Sequence, residues 1–205
     1  QDEQTPDDPL PCQCELCTDL EEMCTELASM SPSLSARVFH VTHSKVPYWQ
    51  YGVEKVPAIA LASDGDYPLR FYGIPSNYEF STFLESIYSV STGETELAPD
   101  IYQQVQAIRQ PLHLQVFYTQ TCALCPIVTH LAAQFAVVNP LIHADIIDAM
   151  QFPQLAESFG VRGVPHTVIN GNLCTTGVKA EPELLRLILQ ALRVPCPLRR
   201  ELAAH

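Results

Sequence analysis

The sequence predicts an α/β fold built from two similar units in tandem, and three observations predict it. Moving the 205-residue chain along itself so that Cys14 falls on Cys122 aligns the two halves without a gap as far as about Ala62. Each half then carries a C-x-x-C, Cys14 with Cys17 and Cys122 with Cys125. Each also carries a Val-Pro, Val56-Pro57 and Val164-Pro165, at the same distance beyond its cysteines. Chance supplies one such motif readily, but rarely a set of them in register.

Taken in order, the units are predicted as follows. The second opens on a strand, Leu112-His113-Leu114-Gln115-Val116-Phe117-Tyr118, alternating and rich in β-branched and aromatic residues. The matching stretch before Cys14 holds Pro6, Pro9 and Pro11 with Asp7 and Asp8, which no central strand accommodates. The first unit has therefore either lost its opening strand or begins upstream of Gln1. A helix follows each C-x-x-C. Leu16, Leu20, Met23, Leu27 and Met30 form one helical face, and Leu124, Val128, Leu131, Phe135 and Val138 are their counterparts. Next come alternating strands, Leu34, Ala36, Val38 in one half and Ile142, Ala144, Ile146 in the other.

A hairpin is predicted after each Val-Pro. Ala58–Ala62 returns through Ser63–Asp66 into Tyr67–Tyr72, and Thr167–Ile169 turns at Asn170-Gly171, a strong two-residue hairpin signal. Amphipathic helices over about 78–90 and 181–193 close the units. Ser, Thr, Gly, Glu and Pro crowd Ser91–Asp100, and a linking helix is expected from Ala98 to Gln110. The expected domains are thus 1–97 and 98–205, the second holding the better-formed site.

Acidic residues outnumber basic ones by 23 to 11, for a net charge of −12. That argues against nucleic acid, which needs a basic face, and against acidic membrane surfaces. No apolar run approaches the roughly 20 residues of a membrane-spanning helix. No basic leader with an apolar stretch opens the chain, so no signal peptide is expected, and the expected location is cytoplasmic.

Paired cysteines at this spacing in a βαβ pattern point to redox chemistry first and metal second. Disulfide exchange needs a thiolate, an accessible attacking sulfur and a second thiol to resolve the mixed disulfide. Cys122, delivered by a strand to the start of a helix, lies near N–H groups whose partial charge favours the thiolate. Cys125, about one turn on, is the resolving thiol. The Val164–Pro165 peptide is expected to be cis, as only X-Pro peptides are readily cis; an ordinary trans proline opening an edge strand is the alternative. A cis bond leaves the Val164 backbone available to an extended substrate segment, with His166 beside it. No carboxylate stands in the strand before Cys122, so proton uptake is expected to use water or the backbone. His113 is read as structural.

At these residues the chain resembles the protein disulfide oxidoreductases of the glutaredoxin-like type, which fuse two thioredoxin-fold units. The resemblance is carried by Phe71-Tyr72-Gly73-Ile74-Pro75 with Tyr78-Glu79-Phe80, by Leu114 through Cys122 with Cys125-Pro126, and by Gly160-Val161, Gly163-Val164-Pro165 and Val168-Ile169-Asn170. It implies oxidation, reduction or isomerisation of protein disulfides. It also implies Cys122 as nucleophile, Cys125 as resolving thiol and Pro165 as the cis-proline. Cys14, Cys17 and Pro57 match the first unit's site. The chain departs from the family at Ala123-Leu124, where Pro-Tyr is more usual; these two residues tune thiolate stability.

The expected partners are protein disulfides or dithiols, with a thioredoxin-reductase-like electron donor, and no cofactor is expected. The alternatives are a non-enzymatic tandem binding module with structural cysteines and an electron donor to a peroxidase. Cys12, Cys14, Cys17 and Cys24 carry a weaker reading as a zinc site, disfavoured because Cys24 lies about two turns beyond Cys17. Cys174 and Cys196 are read as structural or free, with mutual pairing as the alternative. His130 and His143 lack metal-ligand spacing, and Tyr48 and Trp49 are read as packing residues.

Overall fold

The computed structural model describes residues 14–40, 51–63 and 66–193. The chain forms two compact units, one ending at Pro57 and the other running from Ala58 onwards.

In the first unit, α1 (Glu15–Ser29) begins directly after Cys14. Of its expected apolar face only Leu20 is buried; Leu16 and Met30 are exposed. The strand expected over Leu34–Val38 does not form, and that stretch carries no regular secondary structure. A strand needs a neighbour to satisfy its N–H and C=O groups. No strand precedes α1 among the described residues, and the proline-rich stretch that would supply one lies outside them.

The second unit is built on a six-stranded sheet in the order β1-β2-β4-β3-β5-β6. The strands are β1 (Ala58–Ser63), β2 (Asp66–Tyr72), β3 (Leu112–Tyr118), β4 (Ile142–Asp148), β5 (His166–Ile169) and β6 (Leu173–Thr176). β1 and β2 form the first expected hairpin. β5 and β6 form the second, with Asn170 and Gly171 both at positive φ as a two-residue turn of this kind requires. β2 runs parallel to β4, and β4 parallel to β3. One sheet thus joins strands from both sequence repeats.

The helices are α2 (Tyr78–Thr92), α3 (Pro99–Gln106), α4 (Cys125–Val138), α5 (Pro153–Ser158) and α6 (Glu181–Arg193). The linking helix α3 is shorter than expected, and α5 had no sequence expectation. α4 is mostly apolar and buries Val128, Leu131 and Phe135; Phe71 of β2 meets Phe83 of α2 edge to face. On the opposite face of the sheet, Arg70 of β2 and Asp145 of β4 form a buried ion pair that the more exposed His113 of β3 also joins. Arg70 Nε lies 2.5 Å from Asp145 Oδ1, and His113 Nε2 lies 2.6 Å from Oδ2. Burial pushes the Asp145 carboxyl up, but the hydrogen bonds and electrostatic attraction from His113 and Arg70 outweigh it and hold the group below the ordinary aspartate range.

Gly73, just past β2, has φ +96°, and a Cβ there would meet Gln151 Oε1 at 2.8 Å and Asp148 Cβ at 3.1 Å. Gly93, the αL cap of α2, has φ +73° and open space around it. Gly73→Ala is expected to cost about 2 kcal/mol and Gly93→Ala about 1 kcal/mol in urea unfolding, because only the first adds a clash to backbone strain. Equal costs would show that the close approach at Gly73 has no energetic weight.

Candidate functional site

The elements of the redox site meet at the C-terminal ends of the parallel strands. β3 ends at Tyr118, and Thr119–Leu124 forms a turn closed by Cys122 N donating to Thr119 O at 3.0 Å and Cys125 N to Cys122 O at 3.3 Å. α4 begins at Cys125, with Pro126 in its first turn where the missing N–H costs little. Cys122 and Cys125 are joined in a disulfide with their Cα atoms 5.5 Å apart. Cys122 is half-buried and Cys125 fully buried. One sulfur can therefore be reached by a partner, while the other is shielded.

The Val164–Pro165 peptide is cis, as expected. It leads directly into β5, which pairs with β3 through Phe117 and His166. The register thus sets the bent peptide beside the strand that feeds Cys122. Pro165 O accepts Gly177 N at 2.8 Å. Val164 is half-buried and is not a strand residue. The His166 ring is turned inward: Nδ1 lies 2.8 Å from Thr176 Oγ1, and Phe117 stands edge-on to the ring. Burial holds its pKa below the ordinary histidine value.

In the first unit Cys14 is exposed and Cys17 half-buried at the start of α1. Val56–Pro57 is also cis, and Gly52 and Gly160 share φ +67°. The repeat is therefore visible in the backbone as well as in the sequence. Cys12, Cys196, Tyr48 and Trp49 lie outside the described residues. Burial pushes the Cys24 thiol up to about 11. Among the described residues no group of three or more His, Cys, Asp or Glu side chains is placed to hold a metal ion, and no helix is long and apolar enough to cross a membrane.

Residues 112–189 match the thioredoxin domain family. Curated relatives include the alkyl hydroperoxide reductase protein AhpF of Pseudomonas aeruginosa, 29% identical over 64% of this chain and 26% of its own length. The Staphylococcus aureus protein of the same name is 27% identical over 75% of this chain and 28% of its own. The chain spans about a quarter of the length of these relatives. Among solved structures, AhpF of Enterococcus faecalis superposes with a TM-score of 0.80 at 26% identity, covering 87% of this chain and 86% of that one. A protein disulfide oxidoreductase from Aeropyrum pernix superposes with a TM-score of 0.78 at 26% identity, covering 89% and 82%. The chain is thus similar in fold to these disulfide oxidoreductases, and residues 112–189 carry a thioredoxin domain.

Beside α4 lies one residue whose role sequence reasoning missed. Glu79, in the first turn of α2, is buried, and neither carboxyl oxygen completes a hydrogen bond among the described residues. Burial pushes its pKa from 4.5 up to about 7; the Thr129 and Thr82 hydroxyls pull weakly the other way, and Asp148 adds to the rise. Thr129 lies one turn along α4 from Cys125 and donates to Cys125 O at 3.2 Å. An acid is thus present after all, supplied by a helix of the first repeat instead of the strand before Cys122. Its signal was available: Glu79 falls on the buried stripe of its helix with Thr82, Phe83 and Ser86.

A raised carboxyl pKa makes the folded state hold a proton that the unfolded state releases. The resulting stabilisation is full below pH 4.5 and gone above about 7. Between those limits the native protein is expected to lose about 3 kcal/mol that Glu79→Gln does not lose. Urea unfolding of both proteins across this range checks it, and parallel pH profiles would refute the assignment.

Proposed function

We propose that the chain exchanges dithiol for disulfide with protein partners through Cys122 and Cys125. The observation that carries this reading is the asymmetric pair, a reachable sulfur bonded to a shielded one at the start of a helix. In the reducing direction the Cys122 thiolate attacks a partner disulfide, forming a mixed disulfide and releasing one partner thiolate. The Cys125 thiol then gives up its proton and attacks the Cys122 sulfur. That closes the Cys122–Cys125 disulfide and releases the second partner thiolate. Two electrons pass to the partner, whose two sulfurs take up protons. Oxidation of a partner dithiol is the same sequence reversed.

Glu79 is the group suited to the proton of Cys125. It is buried beside the same helix, and a pKa near 7 lets it accept and return a proton at neutral pH. Pro165 shapes the approach to the sulfurs, and Val164 offers backbone groups to an extended substrate segment. His166 braces the far side of the cis peptide through Thr176. Cys14, Cys17 and Pro57 form a second candidate site by the same logic. We read 1–97 and 98–205 as the two repeats of the duplication; the compact units divide elsewhere because β1 and β2 of the first repeat join the sheet of the second.

The likeness to the alkyl hydroperoxide reductase protein AhpF favours a more specific role, electron donor to a peroxidase, with a reductase partner renewing the dithiol. Peroxide consumption in a reconstituted chain tests that role.

The general reading is tested by reduction of insulin disulfides with dithiothreitol. Cys122→Ser is expected to fall to the uncatalysed rate, and Cys125→Ser to accumulate mixed disulfides visible by mass spectrometry. Equal rates for the native protein and Cys122→Ser would sink it.

A further inference from the structure

Asp148, the last residue of β4, is fully buried and has no place in the electron transfer just described. Its Oδ1 accepts Met150 N at 2.8 Å. Its Oδ2 accepts Gln120 Nε2 at 3.2 Å and Gln151 Nε2 at 2.9 Å. All three are N–H donors, the arrangement that suits an ionised carboxylate. Two of these contacts lead elsewhere. Gln120 belongs to the turn that carries Cys122. Gln151 uses its other end, Oε1, to accept Ile74 N at 3.2 Å, in the turn that leads into α2 and Glu79.

Gly73 is part of the same construction, because any side chain there would push against Gln151 and Asp148. Tyr118, the residue before the Cys122 turn, donates its O–H to Ile74 O at 3.5 Å, and its own carbonyl accepts Ala149 N at 2.9 Å.

We propose that Asp148 is a positioning residue of the redox site: its carboxylate ties the turn holding Cys122 to the turn leading into Glu79, fixing the dithiol and the buried acid in one arrangement. This rests on the reading of Cys122, Cys125 and Glu79 given above. A role in turn formation alone would need only the Met150 contact; the two glutamine amides meeting on one oxygen, one from the Cys122 turn and one that also holds Ile74 of the first repeat, exceed that need. Asp148 also acts on Glu79 through space, its negative charge disfavouring a second one nearby.

The test uses the full chain and two measurements that need no protein substrate. One is the equilibrium of the Cys122–Cys125 disulfide against glutathione. The other is the titration of Glu79, followed by the 13C shift of its carboxyl. Asp148→Asn keeps the size of the side chain but presents an amide to its donors. It is expected to weaken the disulfide about threefold or more, because the loosened turn lowers the effective concentration of one thiol at the other. It is also expected to move the Glu79 midpoint down by about half a unit or more, because the like charge is gone. Gln120→Ala, which cuts only the tie to the Cys122 turn, should weaken the disulfide and leave the Glu79 midpoint in place.

A folded Asp148→Asn protein with the native equilibrium and the native Glu79 midpoint would overturn the proposal. If that variant does not fold, Gln120→Ala and Gln151→Leu decide, and an unchanged glutathione equilibrium in both would overturn it. Failure of the native protein to reduce insulin would remove the exchange reading instead, while both measurements would still report on Asp148.

Discussion

The parallel pairing of β2 with β4 is the constraint on which the site depends. Leu69 pairs with Ala144 and Tyr72 with Ile147, so both strands end at the same edge of the sheet. A slip of one residue would turn Leu69 and Phe71 away from the helices and put Arg70 in their place. The bridge from Arg70 to Asp145 opposes that slip. Desolvating the pair is costly, and breaking it strands a buried charge; its effect is to specify register more than to add net stability. With the register fixed, the chain leaves β2 at Gly73 and turns into α2 beside α4. An acid from the first repeat thereby packs beside α4, the helix that starts at Cys125.

Two carboxyls lie buried at this edge, and their surroundings treat them in opposite ways. Asp148 receives three N–H donors on two oxygens, which suits a charge. Glu79 completes no hydrogen bond among the described residues and has Asp148 as a like-charged neighbour, which favours keeping its proton. Divergent environments for neighbouring acids mark a place where protons are stored and moved. The same reasoning separates the sulfurs: identical chemically, they differ in access, and access decides which attacks first. Asp145, on the other face of the sheet, is also buried, but Arg70 on one oxygen and His113 on the other hold it as a structural charge.

Much of this was legible in the sequence because it rests on local chemistry. The cysteines, both Val-Pro peptides, the Asn170-Gly171 turn and the strand from Leu112 to Tyr118 announce themselves through spacing, ring constraint, backbone freedom and alternation. Glu79 was harder to read. Its role comes from long-range packing, and a search confined to the strand before Cys122 looks in the wrong element. The Asp148 contacts were hidden for the same reason, since Gln120, Gln151 and Ile74 meet only once β2, β3 and β4 are aligned. The strand expected at Leu34–Val38 shows the opposite error. Alternation gives a segment a face, but pairing needs a neighbour, and the proline-bearing stretch ahead of Cys14 is poorly suited to provide one.

The two repeats have therefore kept different things. Gly52 matches Gly160 in φ and both Val-Pro peptides are cis, so the backbone devices of the fold survive in each half. Burial does not survive equally: α4 hides Val128, Leu131 and Phe135, whereas on α1 only Leu20 is buried. A positive φ at a glycine is allowed by that residue's own lack of a Cβ. A buried helix face needs something to cover it. The same asymmetry bears on the cysteines, because shielding a resolving sulfur is a matter of burial: Cys125 is sealed, while Cys17, its counterpart, is only half-buried. That difference, more than the spacing shared by the two motifs, is why the second repeat is assigned the principal exchange site.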